Sequence, residues 1–148
     1  MNLALKNKVA LVAASSQGLG RASAMALAAE GAKLVICSRN DRSIRDAAEE
    51  IRSKTGATVV PVVADVSKKE DIKRFVDAAV KQFGTVHVLV NNAGGPPTGH
   101  VLTMPDEEWE KGVQLTLMSV VRLVREVLPH MERQKWGRII TIVSIAAK

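Results

Sequence analysis

The sequence predicts an α/β domain in which a parallel sheet carries helices on both faces. Two observations lead there: strand-like and helix-like patterns alternate along the chain, and residues 9–13, 86–90 and 139–143 are strongly apolar runs, as strands buried on both faces must be. A third is the punctuation. Gly31, Gly84 and Gly137 stand where a helical pattern gives way to a strand, the place where a glycine closes a helix.

Residues 9–13 read as a central strand. Residues 18–30 follow as a helix with Leu19, Ala22, Ser23, Ala26 and Leu27 on its inward stripe, and residues 34–37 form the next strand. A polar helix over 41–54, capped by Asp41, leads to a strand over 58–64. There Pro61 lacks the N–H that a central ladder position uses, so this strand belongs at the sheet edge. Ser67 and Glu70 have the spacing of a capping box, and Ile72, Phe75, Val76, Ala79, Val80 and Phe83 then repeat at helical period. Residues 86–90 make a buried strand, and residues 92–104, rich in Gly and Pro, a loop. From Pro105 to about Arg133 the pattern is helical again. A proline stands early, Asp106, Glu107 and Glu108 occupy the first turn, and Val113, Leu117, Val120, Val121, Val124 and Leu128 are expected to face inward. Pro129 should kink or end this helix. Gly137 turns the chain into a strand over 138–144 whose core, 139–143, reads as a fifth buried parallel strand.

A chain of 148 residues with 47% hydrophobic content suffices for one domain, and without linker, repeat or low-complexity segment that domain is expected to span residues 1–148. The single cysteine, Cys37, forms no internal disulfide, and residues 1–8 lack a secretory pattern, so a reducing, cytoplasmic setting is expected. No apolar run reaches the roughly 18 residues a membrane span needs. With 21 Lys+Arg against 15 Asp+Glu, the net charge of +6 would suit nucleic acid, a membrane surface or a phosphorylated small molecule. The basic residues are scattered, and aromatics at 3% leave little to stack on bases; nucleic acid and membrane are set aside. His87, His100 and His130 have no metal-ligand spacing with one another or with Cys37, so no metal is expected. Trp109 and Trp136 read as packing residues.

Between the first strand and the first helix lies Ala13-Ala14-Ser15-Ser16-Gln17-Gly18-Leu19-Gly20. Gly18 and Gly20 permit torsions and a close approach that a side chain would block, while N–H groups at a helix start attract a pyrophosphate. Ser15 and Ser16 add hydroxyl donors. A tight strand-to-helix turn would use the same glycines, but their place directly after the first buried strand favours a dinucleotide loop. About 20 residues beyond such glycines an acidic residue holds the adenine ribose hydroxyls, whereas an arginine suits a 2′-phosphate. That count reaches Ser38 and Arg39, and a guanidinium offers phosphate a bidentate fit. NADP(H) is therefore favoured over NAD(H).

With these residues in place, the chain resembles the short-chain dehydrogenase/reductase family over its whole length, especially 3-oxoacyl-carrier-protein reductases and related carbonyl or alcohol reductases. Ala14, Ser15, Ser16, Gln17, Gly18, Leu19 and Gly20 stand where the family has its TGxxxGxG loop. Asp65-Val66 stands where an acidic or amide residue meets the adenine. Asn91-Asn92-Ala93-Gly94 matches the family's NNAG after strand four, the most specific of these motifs, which marks Asn91, Ala93 and Gly94 as cofactor-binding. The resemblance implies a Rossmann-type doubly wound sheet of strand order 3-2-1-4-5 in three α/β/α layers, lacking the family's last strands. The segment from Gly137 to Ser144 looks like the family's fifth strand, which ends in the catalytic serine, so Ser144 is the matching hydroxyl. In the family it hydrogen-bonds the substrate carbonyl, a tyrosine passes the proton, and a lysine four residues further on lowers the tyrosine pKa.

Three departures bear on function. Ala14 replaces the first loop glycine and puts a methyl group near the cofactor's path. Thr116 occupies the place of an asparagine that supports a lysine-linked water in the family. The chain contains no tyrosine, so the Tyr-x-x-x-Lys helix is expected beyond Lys148, with the single NADP(H)-binding domain truncated before it. The resemblance implies an oxidoreductase that moves hydride between NADP(H) and a ketone or secondary alcohol, 3-oxoacyl compounds among them. Alone, the chain is expected to be nearly inactive, because losing the proton donor costs about two to four powers of ten. The alternative is a non-catalytic dinucleotide-binding or interaction module. Leu115, Met118 and Leu123 give the long helix apolar residues on more than one side, and the last strand has an open edge; a homo-oligomer through the helix from Pro105 to Arg133 is expected.

Overall fold

The computed structural model describes residues 3–144; residues 1–2 and 145–148, the two ends of the expected domain, lie outside the described residues. Five strands, β1 (Val9–Val12), β2 (Lys33–Ser38), β3 (Val59–Val63), β4 (Val88–Asn91) and β5 (Arg138–Thr141), form one sheet in the order β3-β2-β1-β4-β5. Every pairing is parallel. This is the doubly wound Rossmann-type order. The chain winds outward from β1 to β3, returns, and winds the other way through β4 and β5, so the order reverses beside β1. Ligands in such sheets sit beyond the carboxyl ends of the strands at that reversal.

Helices α1 (Gly18–Ala29) and α2 (Asp41–Thr55) follow the first two strands, and α3 (Lys69–Phe83) follows the third. Between β4 and β5 run α4 (Asp106–Val113), a π-turn (Gln114–Met118) and α5 (Ser119–Arg133). Alternate strand residues feed two separate cores. Leu11, Val35 and Leu89 pack with Phe75, Leu123 and Val127 of α3 and α5, while Val12, Ile36 and Val90 pack with Ala24, Ala28 and Ile44 of α1 and α2. Among the described residues no helix is long and apolar enough to cross a membrane.

Several local expectations need correction. On α1 the buried stripe is Gly20, Ala24 and Ala28, whereas Leu19 is 66% exposed and Ala22 and Ala26 are also exposed. Small residues let the helix close on the strand end; a side chain at Gly20 would run into the Ala14 carbonyl and approach Asn92 Nδ2 to 2.7 Å. The cap of α2 is Asn40, whose Oδ1 accepts the Ser43 N–H at 2.9 Å, and Asp41 instead pairs with Arg45. No Ser67–Glu70 capping box forms: α3 begins at Lys69 after the cap residue Lys68, and the Ser67 hydroxyl donates to Asp65 Oδ1 at 2.7 Å.

The long helix is where the periodicity misleads most. Val113, Leu117 and Leu128, expected inside, are exposed, and the buried row is Ser119, Leu123, Val127 and Met131. A π-turn admits one extra residue and so rotates the remainder of the helix by about 100°. Pro129 neither ends nor breaks α5; it lies on the exposed side, where the missing N–H bond faces water. Strand β3 does lie at an edge, with Pro61 opposite Ile36 of β2. Strand β5 forms beside β4, but all four of its residues are exposed, because among the described residues nothing pairs with its outer side.

Candidate functional site

The carboxyl ends of the strands converge on a cavity of about 760 Å³. Its first wall is the turn from β1 into α1. Asn92 Nδ2 donates to the carbonyls of Ala13 at 3.3 Å and Ala14 at 3.0 Å, tying the turn to the segment after β4. Ala14 adopts φ +45° and Gly18 φ +58°, left-handed torsions that only glycine takes without strain. Helix α1 then starts at Gly18 with no side-chain cap from Gln17 and no acidic residue in its first turn, which leaves that end suited to an anion.

The second wall comes from the end of β2 and the start of α2: Ser38, Arg39, Asn40, Arg42, Ser43 and Asp46. Arg39 is exposed, and among the described residues it has no ion-pair partner, whereas Arg42 pairs loosely with Asp46 at 3.9 Å. Ala64, Asp65 and Val66 after β3 form the third wall, and Asn92, Ala93, Gly94 and Gly95 after β4 the fourth, with Leu115 of the π-turn alongside. The fit to a dinucleotide phosphate rests on three features: a loop where a side chain at Gly20 would clash, an uncapped helix start, and an unpaired guanidinium at the far end.

Of the sequence-derived candidates, Ala14, Ser16, Gln17, Gly18, Leu19, Ser38, Arg39, Asp65, Val66, Ala93 and Gly94 all line this cavity. Ser15 does not. Its fully buried hydroxyl donates to the Val12 carbonyl at 2.8 Å and so shapes the turn from inside. Gly20 packs beneath the loop, and Asn91 is buried with Nδ2 directed to Thr141 Oγ1 of β5 at 3.3 Å. Thr116 is exposed and donates to the Gly112 carbonyl at 2.8 Å. Ser144 is exposed beyond β5; neither it nor Thr116 lines the cavity. Sequence reasoning missed Asn92, Arg42, Ser43 and Asp46. The first was legible in the Asn-Asn pair, but its target lies 78 residues away.

A second cavity adjoins the first through Arg39, Asp65, Gly95 and Leu115 and is bordered by Trp109. That indole is 51% exposed, so it is not the packing residue expected. Trp136 does pack, between Lys8 and Arg138 at 4.3 and 4.9 Å and edge-on to His87. Burial pushes the Cys37 thiol up to about 12, which leaves it unreactive at neutral pH. Among the described residues no group of His, Cys, Asp and Glu is placed to hold a metal.

The family model for short chain dehydrogenases matches residues 8–148. The chain is 36% identical to a 3-oxoacyl-acyl-carrier-protein reductase of Staphylococcus epidermidis, covering 94% of this chain and 57% of that protein. Its structure superposes with a TM-score of 0.96 and 35% identity on L-sorbose reductase of Gluconobacter frateurii complexed with NADPH and L-sorbose, covering 99% of this chain and 56% of that one. The corresponding values for a 7α-hydroxysteroid dehydrogenase complexed with NADH and a 7-oxo bile acid conjugate are 0.93 and 30%, with 99% and 56% coverage. The chain therefore spans a little over half the length of these proteins.

Proposed function

Since this chain belongs to the short chain dehydrogenase family, we propose that it is the cofactor-binding part of an oxidoreductase acting between NADP(H) and a ketone or secondary alcohol, with 3-oxoacyl compounds within that class. When bound, the dinucleotide supplies or takes up the hydride. The residues here bind and orient it. The turn over residues 14–20 and the start of α1 hold the pyrophosphate, Arg39 and Ser38 meet the 2′-phosphate, and Asp65 and Val66 meet the adenine. Ala93 and Gly94 border the cofactor's path, and Asn91 acts from behind by holding β4 to β5. Ser144 supplies the hydroxyl that steadies the substrate carbonyl. No tyrosine is present, so the family's proton-passing tyrosine is not among residues 1–148, and these residues alone are expected to be nearly inactive.

The observation that carries this reading is the convergence of the glycine turn, the unpaired Arg39 and the Asp65 loop on one cavity. NADPH is favoured over NADH because Arg39 offers a guanidinium with no competing carboxylate partner. NADPH and NADH complexes both occur among the similar structures, so the choice rests on this chain's own side chain. The test is calorimetric titration with each. NADPH should bind about tenfold tighter or more, the worth of a charge-assisted hydrogen bond, and Arg39→Ala should erase the difference. Equal affinities in the unmodified chain would sink the preference.

The missing tyrosine also favours a second reading, a non-catalytic dinucleotide-binding or interaction module. NADPH binding without turnover by the full natural product would select it. In either case the exposed Val113, Leu117 and Leu128 of the α4–α5 region support homo-oligomerisation through that region, and the unpaired Cys37 supports a reducing, cytoplasmic setting.

A further inference from the structure

The loop that carries Asp65 and Val66 is braced from behind by two side chains outside both cavities. On α3, Asp71 Oδ2 accepts the Asp65 N–H at 2.8 Å, and Asp71 Oδ1 pairs with Arg74 at 2.8 Å. Arg74 also donates to the Val63 carbonyl at 3.0 Å, so one acid–guanidinium pair grips both the end of β3 and the start of the loop. From α5, Arg122 donates to the Ser67 carbonyl at 3.0 Å. Between these braces Asp65 folds onto its own loop, with Oδ1 accepting the Ser67 N–H at 3.0 Å and the Ser67 hydroxyl at 2.7 Å.

The consequence lies in what remains. Asp65 Oδ1 is committed to two donors, while Oδ2 has no partner among the described residues and Asp65 borders the cavity. A carboxylate can only accept hydrogen bonds at neutral pH, and the exocyclic amino group is the one strong donor on the adenine edge. Resting on the reading of Asp65 as an adenine contact, we propose that Asp71 and Arg122 are positioning residues which aim Asp65 Oδ2 at the adenine amino group. Asp71 suits this task because the Asp65 N–H, then Arg74 and Lys68, hold its carboxyl below the usual range, so it accepts as an anion, the stronger form of the bond. Neither residue lines either cavity.

The test uses a base swap. In the hypoxanthine analogue of NADPH the amino group is replaced by a carbonyl oxygen, which an aimed carboxylate repels. The affinities of NADPH and the analogue are measured for the unmodified chain and its variants. The unmodified chain should prefer adenine about tenfold. Asp71→Ala should bring the two affinities close together, and Asp71→Asn, which keeps an acceptor for the Asp65 N–H, should largely restore the preference. Arg122→Met removes the second brace without disturbing α3 and should also narrow the gap. If Asp71→Ala and Arg122→Met weaken both dinucleotides in equal proportion, the braces are structural and the proposal is overturned. Asp65→Ala separates the two levels: should it leave the adenine preference intact, the adenine contact itself lies elsewhere and both readings fall.

Discussion

At Ala14 a methyl-bearing residue holds φ +45° in the turn between β1 and α1. An L-residue there costs roughly 1–2 kcal/mol relative to a right-handed torsion, and the conformation persists because Asn92 holds the Ala14 carbonyl. Ala14→Gly should therefore stabilise the chain by about 1 kcal/mol after the entropy of glycine is counted, seen as a melting point about 2–4 °C higher. A lower melting point would mean that the strain is already offset elsewhere. His87 makes a separate prediction. Its Nδ1 accepts the Val9 N–H at 3.0 Å, and burial, then Lys8, lower its pKa from the usual value. A depressed histidine is neutral in the fold, so its contribution is complete above the unfolded value of about 6.5 and is lost as pH falls from there through the folded pKa. Thermal melts from pH 7 to 5 should show this decline, and His87→Asn, whose amide oxygen accepts without charging, should flatten it. Parallel curves for the two proteins would assign the decline to other groups. Neither residue's role was legible in sequence, because each depends on a partner tens of residues away.

Among the elements, those governed by local rules were readable and those governed by packing were not. Helix α3 follows its periodicity, burying Ile72, Phe75, Val76 and Ala79 and closing at Gly84 with φ +82°. Its start differs from the Ser67–Glu70 pattern because the acid that reaches back is Asp71 and its target is Asp65, a choice set by where the loop returns. The π-turn at Gln114–Met118 has no local signature, yet it decides which face of α5 is buried. Val113 before it and Leu117 within it are exposed, while Leu115 packs against the core and borders both cavities. Leu123→Ala, on the buried row, should cost about 2–5 kcal/mol, whereas Leu117→Ala, exposed, should change stability by about 0.5 kcal/mol or less. Chemical denaturation of the two variants checks this phase directly; equal losses would restore the continuous-helix register.

Over the whole molecule, the open surface sets the behaviour of the isolated chain. Ile139 and Ile140 of β5 are 40% and 47% exposed and Val143 is 75% exposed, on an edge whose outer side is unpaired among the described residues. Such an edge pairs with other chains, so sedimentation should find residues 1–148 associated at micromolar concentration. Ile140→Lys should shift the distribution toward monomer without lowering the melting point, and a sharply melting monomer before substitution would refute the expectation. The sequence by itself determined the parallel α/β class, the edge position of β3 through Pro61, the glycine turn and the Asn-Asn-Ala-Gly segment, because each follows from backbone geometry or from a motif contiguous in the chain. Only the tertiary structure decided that Asn92 rather than Asn91 pins the turn between β1 and α1, that Ser15 is buried beneath it, and that Arg42 and Asp46 join the cavity. The physical reason is common to all three: a side chain's partner is chosen by which strand ends are brought together, and the order β3-β2-β1-β4-β5 joins segments that local pattern cannot relate.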